Sequence, residues 1–380
     1  MNDGQIHARH YATGQPVALA WHQGVIHRVG PAARAGDAEA WIAPALVDLQ
    51  VNGFAGVDFQ RDDLTMEELL AAVRGLRAAG CTRFLLTLIT DEWPRLVRRV
   101  KQLRELRAAS PDLQRAIAGW HLEGPFLSAE PGYCGAHDPG LMLDPTPDRV
   151  RELRAVAGVD PLLVTLAPER NGALEAIALA TALGIKVSLG HTNASADLLQ
   201  AAVKAGATAF THLGNACPQL LDRHDNILWR VLDTPGLAVS LICDGIHVAP
   251  ALFRLIHRAL GSGQIVYVTD AMAAAGAPPG RYTLGTSALE VGADGIVRRP
   301  GQSNFAGSAL RAMDGVMRAA RMLARSWQEV WDGFSVRPAR RMDWPTGLDV
   351  GAPADFCQLK VTPRNEVREL NVFVAGEEAA

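Results

Sequence analysis

The chain has 380 residues, of which 48% are hydrophobic and only 20% charged, which excludes a disordered chain and leaves enough apolar material for a large core. Thirty-seven basic residues against 40 acidic ones give a net charge of −3, so no basic excess exists to hold nucleic acid or an anionic membrane. Five cysteines with no Cys-x-x-Cys spacing argue against a disulfide framework or a thiolate zinc site. The start, Met-Asn-Asp-Gly-Gln, lacks the basic-then-apolar pattern of a secretory leader, and apolar runs such as 84–89 and 237–243 are too short to span a bilayer. The expectation is a cytoplasmic enzyme.

In chain order, short alternating pieces at 17–21 and 24–29 come first, separated by Gly and Pro turns. Eight apolar runs then read as buried strands, at 45–51, 83–88, 116–123, 162–168, 186–191, 207–213, 237–244 and 264–270. Most gaps between them hold amphipathic stretches with helical spacing, as at 65–79, 93–109, 148–156 and 195–205. Thr65 and Ser195 read as N-caps, while Gly80, Gly184 and Gly206 read as left-handed C-terminal caps just before strands. Alternation resumes at 355–361 and 366–375. Eight βα units predict an α/β fold, a (β/α)8 TIM barrel over about 44–344. The two β-rich ends, 1–43 and 345–380, would pair into one small β-sandwich domain. A doubly wound sheet is the competitor, but no Gly-x-Gly-x-x-Gly follows the first strand.

A barrel's active site lies at the C-terminal ends of its strands. Those ends carry Gln50 and Asn52 (strand one), Glu123 (three), His191 (five), His212 and Asn215 (six), Asp244 and His247 (seven) and Asp270 (eight). Two imidazoles and a carboxylate, Glu123, His191 and His212, suit one zinc-like divalent ion with a position left open for water. His121, two residues before Glu123 on the same strand face, reads as a packed residue one layer deeper. Asp270, after the apolar Ile-Val-Tyr-Val-Thr, is costly to bury unless it pairs or reacts, and could serve as general base and then acid. His137, in a Gly/Pro-rich loop after strand three, could polarise a carbonyl.

Six strings carry a family resemblance: Pro44-Ala-Leu-Val-Asp-Leu-Gln-Val-Asn-Gly53, His121-Leu-Glu-Gly-Pro-Phe126, Gly190-His-Thr192, Thr211-His-Leu-x-Asn-Ala216, Asp244-Gly-Ile-His247 and Thr269-Asp-Ala271. Together they resemble the N-acetylglucosamine-6-phosphate deacetylases of the amidohydrolase superfamily, over nearly the whole chain. The resemblance implies the barrel and its satellite β domain. It implies Glu123, His191 and His212 as metal ligands, Asp270 as catalytic base and acid, and His137 as the group that polarises the acetamide carbonyl. It makes Gln50 and Asn52 vestigial second-metal positions, standing where most amidohydrolases carry His-x-His, so one metal ion per subunit is expected: zinc first, with iron, cobalt or manganese also compatible. Asn215, Ala216, Arg223 and His247 are the implied substrate-binding residues. Arg223 and His247 would reach a sugar phosphate, the arginine and imidazole coming from the neighbouring subunit of a homodimer. The implied substrate is thus a small N-acetyl amino sugar carrying a 6-phosphate.

The chain also departs from that pattern, with Gly214 and Cys217 in the strand-six string and with Asp222 and Asp225 flanking Arg223. Those aspartates could pair with the arginine and repel a phosphate. An unphosphorylated or galacto-configured N-acetyl sugar, or another N-acyl compound, is therefore the alternative substrate. A non-catalytic scaffold is the alternative from another class, and the complete ligand set argues against it.

Overall fold

The computed structural model describes residues 2–34, 36–37, 39–301 and 305–380. Eight strands follow one another in space in the order of the sequence, each parallel to the next: Leu46–Val51, Cys81–Ile89, Ile117–Glu123, Leu162–Leu166, Lys186–Leu189, Ala209–Phe210, Ala238–Ile242 and Ile265–Val268. All eight coincide with the apolar runs of the sequence. The first and last strands close the ring through a side chain as much as a ladder. The Asp48 carboxylate accepts from Thr269 N at 3.2 Å and from Thr269 Oγ1 at 2.6 Å, and Val51 bridges Ala271 in parallel. Asp48 is fully buried, and burial pushes its carboxyl up to about 7 against the pull of those hydrogen bonds.

The helices start where the caps placed them. Thr65 and Glu68 form a reciprocal capping box ahead of Met66–Ala78, and Ser195 caps Ala196–Ala205. Gly80 takes φ +83°, the left-handed turn that lets the chain leave a helix and enter the next strand. Five strands, the fourth to the eighth, stop short of their apolar runs. The fifth, sixth and eighth end two or three residues early because His191, His212 and Asp270 sit at φ +52°, +33° and +52°. That backbone cannot continue a ladder and turns each side chain toward the barrel mouth. The sixth strand has only two laddered residues, since His212 N donates to Ser240 Oγ at 2.7 Å rather than to a neighbouring carbonyl.

The chain ends form a separate seven-stranded sheet, ordered Glu377–Glu378, Val367–Val374, Phe356–Val361, Trp41–Pro44, Gly4–His10, Pro16–His22 and Val25–Pro31. Phe356 stacks on Phe373 at 4.5 Å, with Trp21 tilted against both. One feature was not anticipated from sequence, a three-stranded antiparallel sheet after the eighth barrel strand, Gly280–Leu284, Ser287–Val291 and Val297–Arg298. Asp58 pins its first turn by accepting from Thr283 Oγ1 and Gly285 N, both at 2.9 Å. Among the described residues no helix is long and apolar enough to cross a membrane.

Candidate active site

The strand ends converge on a cleft of about 700 Å³. Glu123, His191, His212, His137, Asp270 and Asn52 line its floor; Asn215, Ala216 and His247 line its walls, and Leu284 and Phe305 stand over it. Glu123, His191 and His212 present ligand atoms all within 4.8 Å of one another, and all three are buried. His212 Nε2 lies 2.7 Å and His191 Nε2 3.2 Å from the same oxygen, Glu123 Oε1.

The donor set fits a cation. His191 Nδ1 is 3.0 Å from the Tyr133 carbonyl, which can only accept, so Nδ1 carries the proton. In a neutral His191 the Nε2 lone pair then faces a carboxylate oxygen. Two acceptors opposed in a dry site repel, and a divalent metal between them removes the conflict. Burial opposes the Glu123 charge, but with protons on the Nε2 atoms of His191 and His212 their hydrogen bonds outweigh it and hold the carboxyl well below its ordinary range.

His137 is set for donation. Thr90 N, a donor only, points at His137 Nδ1 at 3.4 Å, with Thr90 Oγ1 at 2.8 Å. Nδ1 therefore accepts and Nε2 carries the hydrogen, 3.8 Å from Glu123 Oε2. Burial and the adjacent His191 push this imidazole down to about 3, so it is neutral at ordinary pH. The loop that brings it in passes close over His191. Gly135, at φ +59°, has no room for a side chain, because a Cβ there would lie 2.9 Å from His191 Cε1. Arg299 holds the same loop from the far side, donating to the Ala136 carbonyl at 2.9 Å.

Asp270 Oδ1 accepts from Asn52 Nδ2 at 2.7 Å and from Gln50 Nε2 at 3.1 Å. Burial and the Glu123 charge both push the Asp270 carboxyl upward. Gln50 and Asn52 are thus engaged with the carboxylates rather than left over. His121 lies deeper, hydrogen-bonded to Thr165 Oγ1 at 2.8 Å and Thr87 Oγ1 at 3.3 Å, away from the triad's ligand atoms.

His247 forms a local pair. Asp244 Oδ1 accepts from Ile246 N and His247 N, both at 2.8 Å, and Asp244 Oδ2 takes the Nδ1 proton at 2.6 Å. Its Nε2 is left for the cleft. Asn215 N and Nδ2 both donate to the His212 carbonyl. Arg223 is not among the cleft-lining residues. The feared pairing with its flanking aspartates does not occur. Asp222 Oδ1 accepts from His224 N and Asp225 N, and Asp225 binds Arg230 at 2.6 Å. Arg223 is exposed, its Nε 3.0 Å from His224 Nε2, and no ion pair to it exists among the described residues.

Sequence reasoning missed Thr90, Tyr133 and Ser240 as supports of the site. Thr90 directly follows the second strand, so the strand-end rule reaches it. The Tyr133 carbonyl and the Ser240 hydroxyl act through geometry that carries no motif.

A parallel eight-stranded barrel with two histidines and a carboxylate gathered at its C-terminal mouth defines an amidohydrolase-type hydrolase with a candidate metal site. No protein-family model matches the chain. Comparison with characterised proteins gives 35% identity over 351 residues to the N-acetylglucosamine-6-phosphate deacetylase of Mus musculus, covering 88% of this chain and 82% of that one. The Bacillus subtilis enzyme of the same name is 30% identical over 324 residues, covering 84% and 80%. Among solved structures, a mutant of the Mycobacterium smegmatis deacetylase in complex with N-acetyl-D-glucosamine-6-phosphate matches with a TM-score of 0.87 and 32% identity over 99% of both chains. The chain belongs to the N-acetylglucosamine-6-phosphate deacetylase family, in the amidohydrolase superfamily.

Proposed function

We propose that this chain hydrolyses the N-acetyl group of N-acetylglucosamine 6-phosphate to glucosamine 6-phosphate and acetate. The observation that carries the reading is the convergence of Glu123, His191 and His212 with Asp270 and His137 on one cleft, in a chain of this family. One divalent cation on the triad, zinc first and iron, cobalt or manganese also suited to these donors, supplies polarisation of water and of the acetamide oxygen when bound. The protein supplies the rest. Asp270 takes a proton from the attacking water as the C–O bond forms. It returns that proton to the sugar nitrogen as the C–N bond breaks. His137 donates its Nε2 hydrogen to the acetyl oxygen, and this bond strengthens as charge develops there.

The phosphate is assigned to Arg223 and His247. A guanidinium with no ion pair among the described residues and an imidazole braced by Asp244 suit a dianion, and the engagement of Asp222 and Asp225 elsewhere removes the argument for an unphosphorylated sugar. Arg223 stands outside the cleft beside the exposed Leu220 and Trp229, which supports a homodimer in which it serves the neighbouring subunit's site. Five free cysteines support a cytoplasmic location.

The test is acetate release from N-acetylglucosamine 6-phosphate by protein loaded with each metal in turn. One acetate per free amine is expected. Absence of turnover with every metal, in folded protein that binds one ion, contradicts the reading.

A further inference from the structure

Gln50, in the first barrel strand, and Asn52, one residue past its end, both bond to carboxylates on the cleft floor. Gln50 Nε2 lies between Glu123 Oε1 at 3.0 Å and Asp270 Oδ1 at 3.1 Å. Asn52 Nδ2 meets the same Asp270 Oδ1 at 2.7 Å. Chemistry fixes these orientations, because a reversed amide would set its carbonyl against an ionised oxygen. The Asn52 carbonyl oxygen is buried without a partner, so the bond to Asp270 is that side chain's one polar anchor among the described residues. A buried amide with half its capacity unmet is costly, and packing alone would be served better by an apolar residue.

Two consequences follow from this geometry. Both donors choose Oδ1, which leaves Oδ2 as the Asp270 oxygen free to exchange a proton. Gln50 also bridges two buried carboxylates that repel one another, with its N–H groups shared between them. Partial positive charge at that point screens the two carboxylates from one another.

We propose that Gln50 and Asn52 are positioning residues for proton transfer: an amide bracket that pins Asp270 Oδ1, leaves Oδ2 to carry the proton, and screens Asp270 from Glu123. The inference rests on Asp270 being the acid–base group. The balance is simple. A water O–H bond breaks toward Oδ2 as the C–O bond forms; the same proton passes to nitrogen as the C–N bond breaks, and Asp270 ends as the carboxylate it began as.

The experiment uses Gln50→Met and Asn52→Leu, which keep volume and delete the donors, each made in the wild-type and the Asp270→Asn backgrounds. Measured are kcat and KM for N-acetylglucosamine 6-phosphate, metal per chain by elemental analysis, and thermal unfolding as a control. In the wild-type background each variant should lower kcat about ten- to hundredfold, the range for a hydrogen bond to a charged group. KM should stay within about twofold and metal at one ion per chain. In the Asp270→Asn background neither should lower the residual rate further, because the donors then have no proton carrier to hold. Wild-type kcat in both single variants overturns the bracket. So does a further tenfold loss in the Asp270→Asn background, which marks general packing, or a rate loss that tracks lost metal, which marks an effect through Glu123. Near-wild-type activity of Asp270→Asn alone defeats instead the assignment on which the bracket rests.

Discussion

Replacing Asp270 by asparagine is a clean perturbation, because the structure shows what it leaves in place. Asp270 sits at φ +52°, a backbone that asparagine tolerates better than other non-glycine residues. The new side-chain oxygen can still accept the bonds from Gln50 Nε2 and Asn52 Nδ2 that Oδ1 accepts now. The amide nitrogen then stands where Oδ2 stood, and it can neither take a proton from water nor give one to an amine. General acid–base catalysis is worth about 10²–10⁴ per proton transfer, and the proposed mechanism assigns both transfers to one group. The expected loss in kcat is therefore at least roughly a thousandfold, about 4 kcal/mol of transition-state stabilisation. Stability should hold within about 1 kcal/mol, since a buried charge is removed and its donors remain satisfied. Acetate release read alongside thermal unfolding and elemental analysis separates these effects. A variant with a tenth of wild-type kcat, unchanged metal and unchanged melting would show that Asp270 is not the proton carrier.

Other expectations follow from the same geometry. His191→Ala should lose most of its metal and at least roughly a hundredfold in rate, whereas Asp270→Asn keeps its metal; unchanged metal in His191→Ala would remove that residue from the ligand set. Arg223→Ala should lower kcat/KM about ten- to a hundredfold for the phosphorylated sugar and leave the free sugar unaffected; mixing it with Asp270→Asn chains should restore activity if the site is shared between subunits, and equal losses on both sugars would contradict phosphate binding. Asp48 carries a folded-state pKa raised by burial to about 7, so its protonated form is the favoured one in the fold. Its contribution is complete at low pH and declines as pH rises from about 4 to 7. The melting temperature of Asp48→Asn relative to wild type should thus move in the variant's favour between pH 5 and pH 8, and a pH-independent difference would refute that assignment.

Much of this molecule was legible in its sequence because barrel strands buried on both faces leave near-continuous apolar runs. All eight were found, and the polar residues at the ends of six of them pointed to the site: Glu123, His191 and His212 meet as the strand-end rule predicts. What stayed hidden depends on direction rather than residue type. The positive φ of His191, His212 and Asp270 ends their strands early, and nothing in the local text marks it. Asp222 and Asp225 looked like partners of Arg223 by adjacency, but one serves a turn and the other an arginine five residues on. The Gly280–Leu284 and Ser287–Val291 hairpin turns at Gly285-Thr286, and its strands are too short and too exposed to leave the apolar runs that mark the barrel.

The proposed reaction is deacetylation of a phosphorylated N-acetyl amino sugar. The most direct test is kcat/KM of the metal-loaded wild-type protein for N-acetylglucosamine 6-phosphate against N-acetylglucosamine under identical conditions. Two charge-assisted contacts to the phosphate, from Arg223 and His247, predict a preference of at least roughly a hundredfold for the phosphorylated sugar. Equal values for the two sugars would contradict the substrate assignment.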